Sequence, residues 1–352
     1  MFPALLALTV SFFLAMALAA LVRRWALARG IVDVPDQPRK IHSANVPLLG
    51  GAAIFLSFSL VAAAYAWLTP YLIGKSVGGL ELAAMIVAGI IIMFGGYLDD
   101  RYRYQPARQI IWPVLATLAV MLVGIKVSVV TNPWGGGLIE LGKFSAPVLT
   151  FAWLLGMMYT TKLLDGLDGL ASGVGAIGAL IIFSLTQFTP FYEPPVGLLA
   201  LILAGACLGF LVWNWHPAKI FLGEGGSLYI GFVLGVLAII SGAKIATTLL
   251  VMGVPILDVV WVIVRRLFWE RRSLAQADRK HLHYRLLDAG LSVRQAVMLL
   301  YVVTMSFGLT ALFLRTSGKL VALGLLLVVM LILGAWVVWR YKKLQQIKDP
   351  AK

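Results

Sequence analysis

Five carboxylates in this chain sit in short motifs whose spacing suits work on phosphate. Asp99 and Asp100 adjoin in Gly95-Gly96-Tyr97-Leu98-Asp99-Asp100-Arg101. Neighbouring side chains point apart on a helix, yet at an irregular helix end both can converge on one cation. A solvated end neutralised by Arg101 and Arg103 is the simpler alternative. Asp165 and Asp168 lie three apart in Lys162-Leu163-Leu164-Asp165-Gly166-Leu167-Asp168-Gly169. A helical turn would put both on one side, and the glycines let backbone or ligand come close. Here the alternative is a helix N-terminus that takes Asp at its cap and first turn for its dipole. Glu224 completes the set in Phe221-Leu222-Gly223-Glu224-Gly225-Gly226-Ser227, a glycine-rich entry to a helix. Such entries aim backbone N–H groups at phosphate, although the Gly-Lys-Ser/Thr of a Walker A loop is missing and a plain loop fits the same residues.

A basic run answers these acids. Asp278-Arg279-Lys280-His281-Leu282-His283-Tyr284-Arg285 suits a diphosphate, with Arg279, Lys280, His281, His283 and Arg285 all able to carry charge. No Cys or third clustered ligand joins His281 and His283 in this loop, so the spacing does not make a zinc site. Anchoring on lipid headgroups accounts for Arg265, Arg266, Arg271 and Arg272. It does not account for two histidines that are mostly neutral near pH 7. Clustered acids would hold a hard cation, while Lys, Arg and His take phosphate oxygens.

Something must hold these residues, and composition leaves one choice. Of 352 residues, 61% are hydrophobic and 12% charged, against about 45–50% and about 25% in soluble domains. A soluble globular fold is excluded. At about 20 residues per spanning helix, the apolar content supplies roughly ten or eleven spans and no sizeable soluble domain. The net charge of +14 would suggest nucleic acid in a soluble protein. Beside a membrane it indicates cytoplasmic loops against anionic lipid, with no nucleic-acid partner. The single cysteine, Cys207, excludes a disulfide framework and a cysteine-rich metal site.

Apolar runs at 2–22, 50–69, 80–98, 110–130, 146–161, 169–188, 196–213, 227–240, 245–264, 296–314 and 320–339 predict an all-α polytopic membrane protein. The expected count is about eleven transmembrane helices, or ten if 227–240 and 245–264 merge through Ser241-Gly242-Ala243-Lys244. The first run is followed by Arg23 and Arg24 without a small-residue cleavage site, and reads as a retained helix. With the N-terminus outside and the C-terminus cytoplasmic, only Lys75, Lys126, Lys143, Lys244, Arg315 and Lys319 of the 29 Lys and Arg fall on the outer face. The same arrangement puts only Glu81, Glu140 and Glu193 outside, and sets the five motif acids at cytoplasmic span ends. A transporter or lipid flippase would instead carry acids near the midplane and internal repeats. Asp258, about two helical turns before Arg265, faces the bundle as a structural partner or a substrate contact. Gly205-x3-Gly209 and Gly231-x3-Gly235 fit close helix packing. The layout is one transmembrane catalytic domain over 1–340 and a basic cytoplasmic tail over 341–352.

Five segments in order now resemble one family. They are Asp33-Val34-Pro35-Asp36 with Arg39-Lys40-Ile41-His42, Pro47 and Gly50-Gly51; Asp99-Asp100; Asp165-Gly166-Leu167-Asp168-Gly169-Leu170-Ala171; Phe221 to Ser227; and Pro255-Ile256-Leu257-Asp258 with the basic run 278–286. Together they look like the polyprenyl-phosphate N-acetylhexosamine-1-phosphate transferases of glycosyltransferase 4 type, over roughly residues 1–340. The Arg39-Lys40-Ile41-His42 segment and the His-x-His-x-Arg form of the basic run are nearer the UDP-N-acetylglucosamine branch than the phospho-N-acetylmuramoyl-pentapeptide transferases.

That resemblance implies a multi-pass enzyme of the bacterial inner membrane with its site on the cytoplasmic face. It would move GlcNAc 1-phosphate from a UDP-sugar to undecaprenyl phosphate, releasing UMP, as the first lipid-linked step of a cell-envelope polysaccharide. Mg2+, or Mn2+ in its place, would offset repulsion between the two phosphate groups. By likeness Asp99 and Asp100 lie nearest the lipid phosphate, as metal ligands or base, and Glu224 stands where a magnesium-binding Asp is usual. Asp165 and Asp168 lie toward the nucleotide and Phe221 toward uracil. Arg279, His281, His283 and Arg285 lie toward the diphosphate, and Lys40 and His42 toward the lipid phosphate. Membrane lipid surrounds such a chain, and a homodimer is an open option. Two departures stand out. Lys162 replaces a usual Asn and adds a positive charge beside the cation site, and Glu224 lengthens the arm of the usual Asp by about 1.5 Å. Lys162 is therefore expected to contact a phosphate or to pair with Glu224, while Glu224 still reaches the metal.

Overall fold

The computed structural model describes residues 2–35, 44–74, 76–132, 137–189, 192–242, 245–270, 281–314 and 316–348. Lys40, His42 and Arg279 lie outside the described residues. In chain order the elements are α1 (Phe2–Ala28), β1 (Val32–Asp33), β2 (Val46–Pro47), α2 (Gly51–Leu68), α3 (Gly79–Tyr102), α4 (Pro106–Gln109), α5 (Ile111–Leu122), β3 (Val129–Thr131), β4 (Leu138–Glu140), α6 (Ser145–Leu164), α7 (Leu170–Phe188), α8 (Pro194–Asn214), α9 (Gly223–Ile240), α10 (Ile245–Val251), α11 (Gly253–Val264), α12 (Leu282–Asp288), α13 (Val293–Phe313) and α14 (Thr316–Lys348). A π-helical turn, Arg265–Glu270, continues α11. The strands form two small antiparallel pairs, β1 with β2 and β3 with β4.

The protein is an all-α, multi-pass membrane protein. Among the described residues eight helices are long and apolar enough to cross a bilayer, and the count is nine where α10 and α11, bent by 80°, are taken as one broken span. The expected count of eleven needs two more crossings, from the shorter apolar stretch Pro106–Leu122 and from α6, which has the length but less apolarity. Residues 227–240 do not merge with the next run, because α9 ends at Ser241 and Gly242, the latter at φ +82°. α9 reaches 18 residues by starting four earlier than the apolar run, at Gly223.

The helices differ in depth within the bundle. Within the best spanning window, 83% of α9 residues are buried, against 17% in α14. α9 is rich in Gly, whereas α14 bares Leu325, Leu331 and Ile332, which suits lipid contact. Both small-residue motifs are packing motifs, as read. A Cβ on Gly205 or Gly209 would overlap the α1 backbone at Leu8 or Phe12, and one on Gly231 would overlap Met157 of α6.

Basic residues gather on one face. Arg23 donates to the Lys219 carbonyl at 3.1 Å, Arg294 to the His216 carbonyl at 2.9 Å, and Arg340 to the Ala289 carbonyl at 2.7 Å. The ends of α1 and α14 therefore share this face, and the N-terminus lies at the other, where Tyr65 donates to the Pro3 carbonyl. Near that end of α14, Arg340 and Lys343 sit over Trp336 and Trp339, each 5.4 Å from the ring centre, a pairing suited to a membrane interface. The α14 helix runs on through residues 341–348, so the basic tail begins as helix.

Candidate active site

Glycines bring the acids together. The motifs at 47–51 and 221–226 lie side by side: Phe221 N–H donates to the Pro47 carbonyl at 2.8 Å, and Gly50 and Gly51 N–H donate to the Phe221 and Leu222 carbonyls at 2.9 and 2.7 Å. A Cβ on Gly51 would overlap Gly226, and one on Gly96 would overlap the backbone of Gly225. The start of α9 is thus wedged between α2 and α3 by backbone-to-backbone contact. Gly225 and Gly226 of the glycine-rich entry thus serve helix approach. Gly223 adopts φ +76°, and the adjacent Glu224 N–H is spent on Asp100 Oδ1 at 3.2 Å.

Asp99 and Asp100 point apart, as neighbours on a helix must, because α3 stays regular past both and stops only at Arg103, which adopts φ +52°. Asp100 faces α9, and its Oδ2 is buried without a hydrogen-bond partner. Asp99 faces α4. Its Oδ1 accepts from Tyr104 N–H at 2.9 Å and from Gln109 Nε2 at 3.0 Å. Gln109 Oε1 in turn accepts from Lys162 Nζ at 2.9 Å, and the same ammonium pairs with Glu224. Of the two roles expected for Lys162, the pairing is the one observed.

Asp165 and Asp168 are not on a helical turn. They occupy the irregular connection 165–169 between α6 and α7, whose N-cap is Gly169 at φ +79° without a side-chain cap. Three later elements hold this connection. Asn214, at the end of α8, accepts from Gly169 N–H and Ser172 Oγ at 3.0 Å each and donates to the Ile220 carbonyl at 3.0 Å. Tyr301 of α13 donates to the Gly169 carbonyl. Asp168 Oδ2 is bound by His216 Nδ1 at 2.7 Å and by Ala218 N–H at 3.0 Å.

These pieces enclose a cavity of 760 Å³ on the basic face. Its walls include Asp33, Asp99, Asp100, Lys162, Asp165, Asp168, Phe221 and Glu224, with Gln109, Asn214, His216 and Tyr284 among them. His281, His283 and Arg285 are not among the lining residues. His281 Nδ1 binds Asp258 Oδ2 at 2.8 Å, and Asp258 Oδ1 accepts from Leu282 N–H at 2.8 Å. Asp258 is therefore a structural partner that anchors α12. His283 is buried against Gly166, where a Cβ would overlap the imidazole, and its Nε2 has no hydrogen-bond partner.

The sequence reading missed Gln109, Asn214, His216 and Tyr301. Asn214 and His216 did leave a signal, as polar residues at a span end just before Phe221. Gln109 and Tyr301 left none.

Electrostatics push two groups in opposite directions. Burial raises the Asp165 carboxyl to about 7, helped by the negative charges of Glu224 and Asp168. Burial lowers the His283 imidazole to about 4, although Asp258 pulls the other way. Between pH 6.5 and about 4 the unfolded chain takes up a proton at this histidine and the folded chain does not, so its contribution to stability is lost as pH falls. Asp165 does the reverse, its contribution being lost as pH rises from 3.8 toward about 7. The two oppose each other over this window, so His283→Gln is expected to leave the Asp165 effect uncancelled, its melting temperature climbing relative to wild type as pH falls from 6.5 to about 4. Parallel melting curves for the wild type and the variant would contradict this.

The donor chemistry suits a magnesium-class ion, since the acids offer only oxygen and Asp100 Oδ2 is buried without a partner. Among the described residues, however, no three His, Cys, Asp or Glu side chains are arranged to hold an ion. Asp100 fits the role, Asp99 lies beside it turned toward Gln109, and Glu224 is taken by Lys162.

The family description "Glycosyl transferase family 4" matches residues 82–242, which include all five motif acids. A probable undecaprenyl-phosphate N-acetylglucosaminyl 1-phosphate transferase of Bacillus subtilis is 30% identical over 319 residues, 88% of this chain and 85% of that one. The decaprenyl-phosphate N-acetylglucosaminephosphotransferase of Mycolicibacterium smegmatis is 37% identical over 306 residues, covering 80% and 74%. A phospho-N-acetylmuramoyl-pentapeptide-transferase of Moorella thermoacetica is 28% identical over 319 residues, covering 89% and 98%. With identity and coverage of this extent, the chain belongs to glycosyl transferase family 4.

Proposed function

We propose that this chain transfers N-acetylglucosamine 1-phosphate from UDP-N-acetylglucosamine to a polyprenyl phosphate, undecaprenyl phosphate in a bacterial inner membrane, at a site on the cytoplasmic face. The observation that carries the reading is the acid-lined cavity of 760 Å³ at the basic face of a multi-pass membrane protein. There a lipid phosphate and a soluble nucleotide sugar can meet. A transporter path would hold acids near the midplane, whereas here they line one face.

In the reaction an oxygen of the lipid phosphate attacks the phosphorus that bears the sugar. The new P–O bond forms as the bond to the UMP phosphate breaks, and the electron pair leaves with UMP. Asp100, with its partnerless oxygen, is the group placed to take a proton from the lipid phosphate. Asp168 is fixed by His216 and Ala218 and orients the nucleotide, with Phe221 offered to the base. Bound at Asp100, with Asp99 adjacent, Mg2+ or Mn2+ would neutralise phosphate oxygens. His281 and His283 act from behind the wall, by fixing α12 and supporting the 165–169 connection.

The pentapeptide donor is the second reading, motivated by the Moorella relative. Purified protein, undecaprenyl phosphate and a panel of UDP-sugars decide between them. UMP is expected with UDP-N-acetylglucosamine. Release only with UDP-N-acetylmuramoyl-pentapeptide would move the chain to the other branch, and release with none would end the enzymatic reading.

A further inference from the structure

Lys162 enters the cavity from the last turn of α6, and among the described residues its polar partners are Glu224 and Gln109. Its ammonium pairs with Glu224 and donates to Gln109 Oε1, and Gln109 passes the contact on to Asp99. The Tyr159 ring lies 5.5 Å from Nζ on a further side, a placement that favours a cation. Three N–H donors on one compact positive charge thus bind one carboxylate directly and a second through a single amide. Asp100 lies outside this network, and its Oδ2 keeps no partner.

We propose that the Lys162 ammonium is a resident cation of the site, which removes Glu224 from the set of metal ligands. A divalent ion then relies on Asp100 and on phosphate oxygens brought by the substrates. Magnesium commonly binds in this way, through one or two carboxylates plus phosphates. The protein alone accordingly holds a divalent ion weakly, and the substrate completes the site. The proposal rests on reading the cavity as a phosphotransferase site, yet its test uses no transfer.

The experiment is Mn2+ binding to the detergent-solubilised full chain without substrate, read by the electron paramagnetic resonance of free Mn2+. Lys162→Asn is expected to tighten binding at least tenfold by releasing Glu224. Lys162→Arg keeps the charge and should stay within twofold of wild type. Adding Glu224→Gln should cancel the gain in the Lys162→Asn background but change wild-type affinity less than twofold, a coupling that a double-mutant cycle isolates. Equal Mn2+ affinity in wild type and Lys162→Asn would overturn the proposal. So would a tenfold loss on Glu224→Gln alone, which also covers the case in which Lys162→Asn does not fold. If these Mn2+ results hold while no UDP-sugar releases UMP, the reaction assignment fails and the resident cation stands.

Discussion

Asp100→Asn should lower GlcNAc-1-phosphate transfer on the order of a thousandfold, the scale set by losing one preorganised electrostatic group, while the chain folds at least as well as wild type. The substitution keeps the shape and one acceptor oxygen, so the hydrogen bond from Glu224 N–H at 3.2 Å can persist. What disappears is a negative charge whose second oxygen is buried without a partner. An arrangement of that kind costs stability in the folded state, so its removal should hold or raise the melting temperature. Radiolabelled product formation and melting temperature, measured on one preparation, check both halves. A fall in activity that merely tracks a lower melting temperature would make Asp100 a structural residue. Asp99→Asn should likewise keep its fold, because Tyr104 N–H and Gln109 Nε2 both donate to Oδ1, an acceptor the amide retains, so the loss is expected in activity and not in melting temperature.

Gly96→Ala is the second large effect. The added methyl would overlap the Gly225 backbone, and two helix backbones cannot yield as a side-chain tip can. Overpacking in a close-packed interior costs about 1–3 kcal/mol and at times more, and here relief comes only by parting α3 from α9. That movement separates Asp100 from Glu224. Poor yield, a lowered melting temperature and little transfer in whatever folds are expected. Gly156→Ala is the control, since nothing lies within 4 Å of a Cβ there, and it should be neutral or slightly stabilising. Equal behaviour of the two variants would remove the glycine contact as the device that builds the site.

Much of this architecture was legible because the membrane forces it. Runs such as 196–213 and 296–314 have no other way to satisfy their backbone in lipid, and they emerged as α8 and α13. The acids were legible for the same reason, being costly residues at the ends of apolar runs. Spacing rules failed where the backbone left the helix. Asp165 and Asp168 share a cavity through an irregular turn held by Asn214, His216 and Tyr301, and no local pattern announces partners so distant in the chain. The basic run was legible as chemistry but not in its placement. His281 and His283 stand in sequence beside Arg279 and Arg285, yet both are buried and His281 is paired with Asp258, a placement that the spacing does not announce. The pairing of Lys162 with Glu224 was legible because the two departures change charge and reach together.

The turn at 165–169 is held by Tyr301 of α13 and backed by His283, both more than a hundred residues later in the chain. A ribosome therefore delivers the carboxylates well before the residues that fix two of them. Asp99, Asp100 and Glu224 can meet once α9 is made, with Asp168 already held by His216 and Ala218, but the turn gains its contacts with His283 and Tyr301 only when α12 and α13 follow. The last packing of the site is thus added after its acids are all in place, and truncation within α13 before Tyr301 should yield a protein that keeps its acids but loosens the turn carrying two of them.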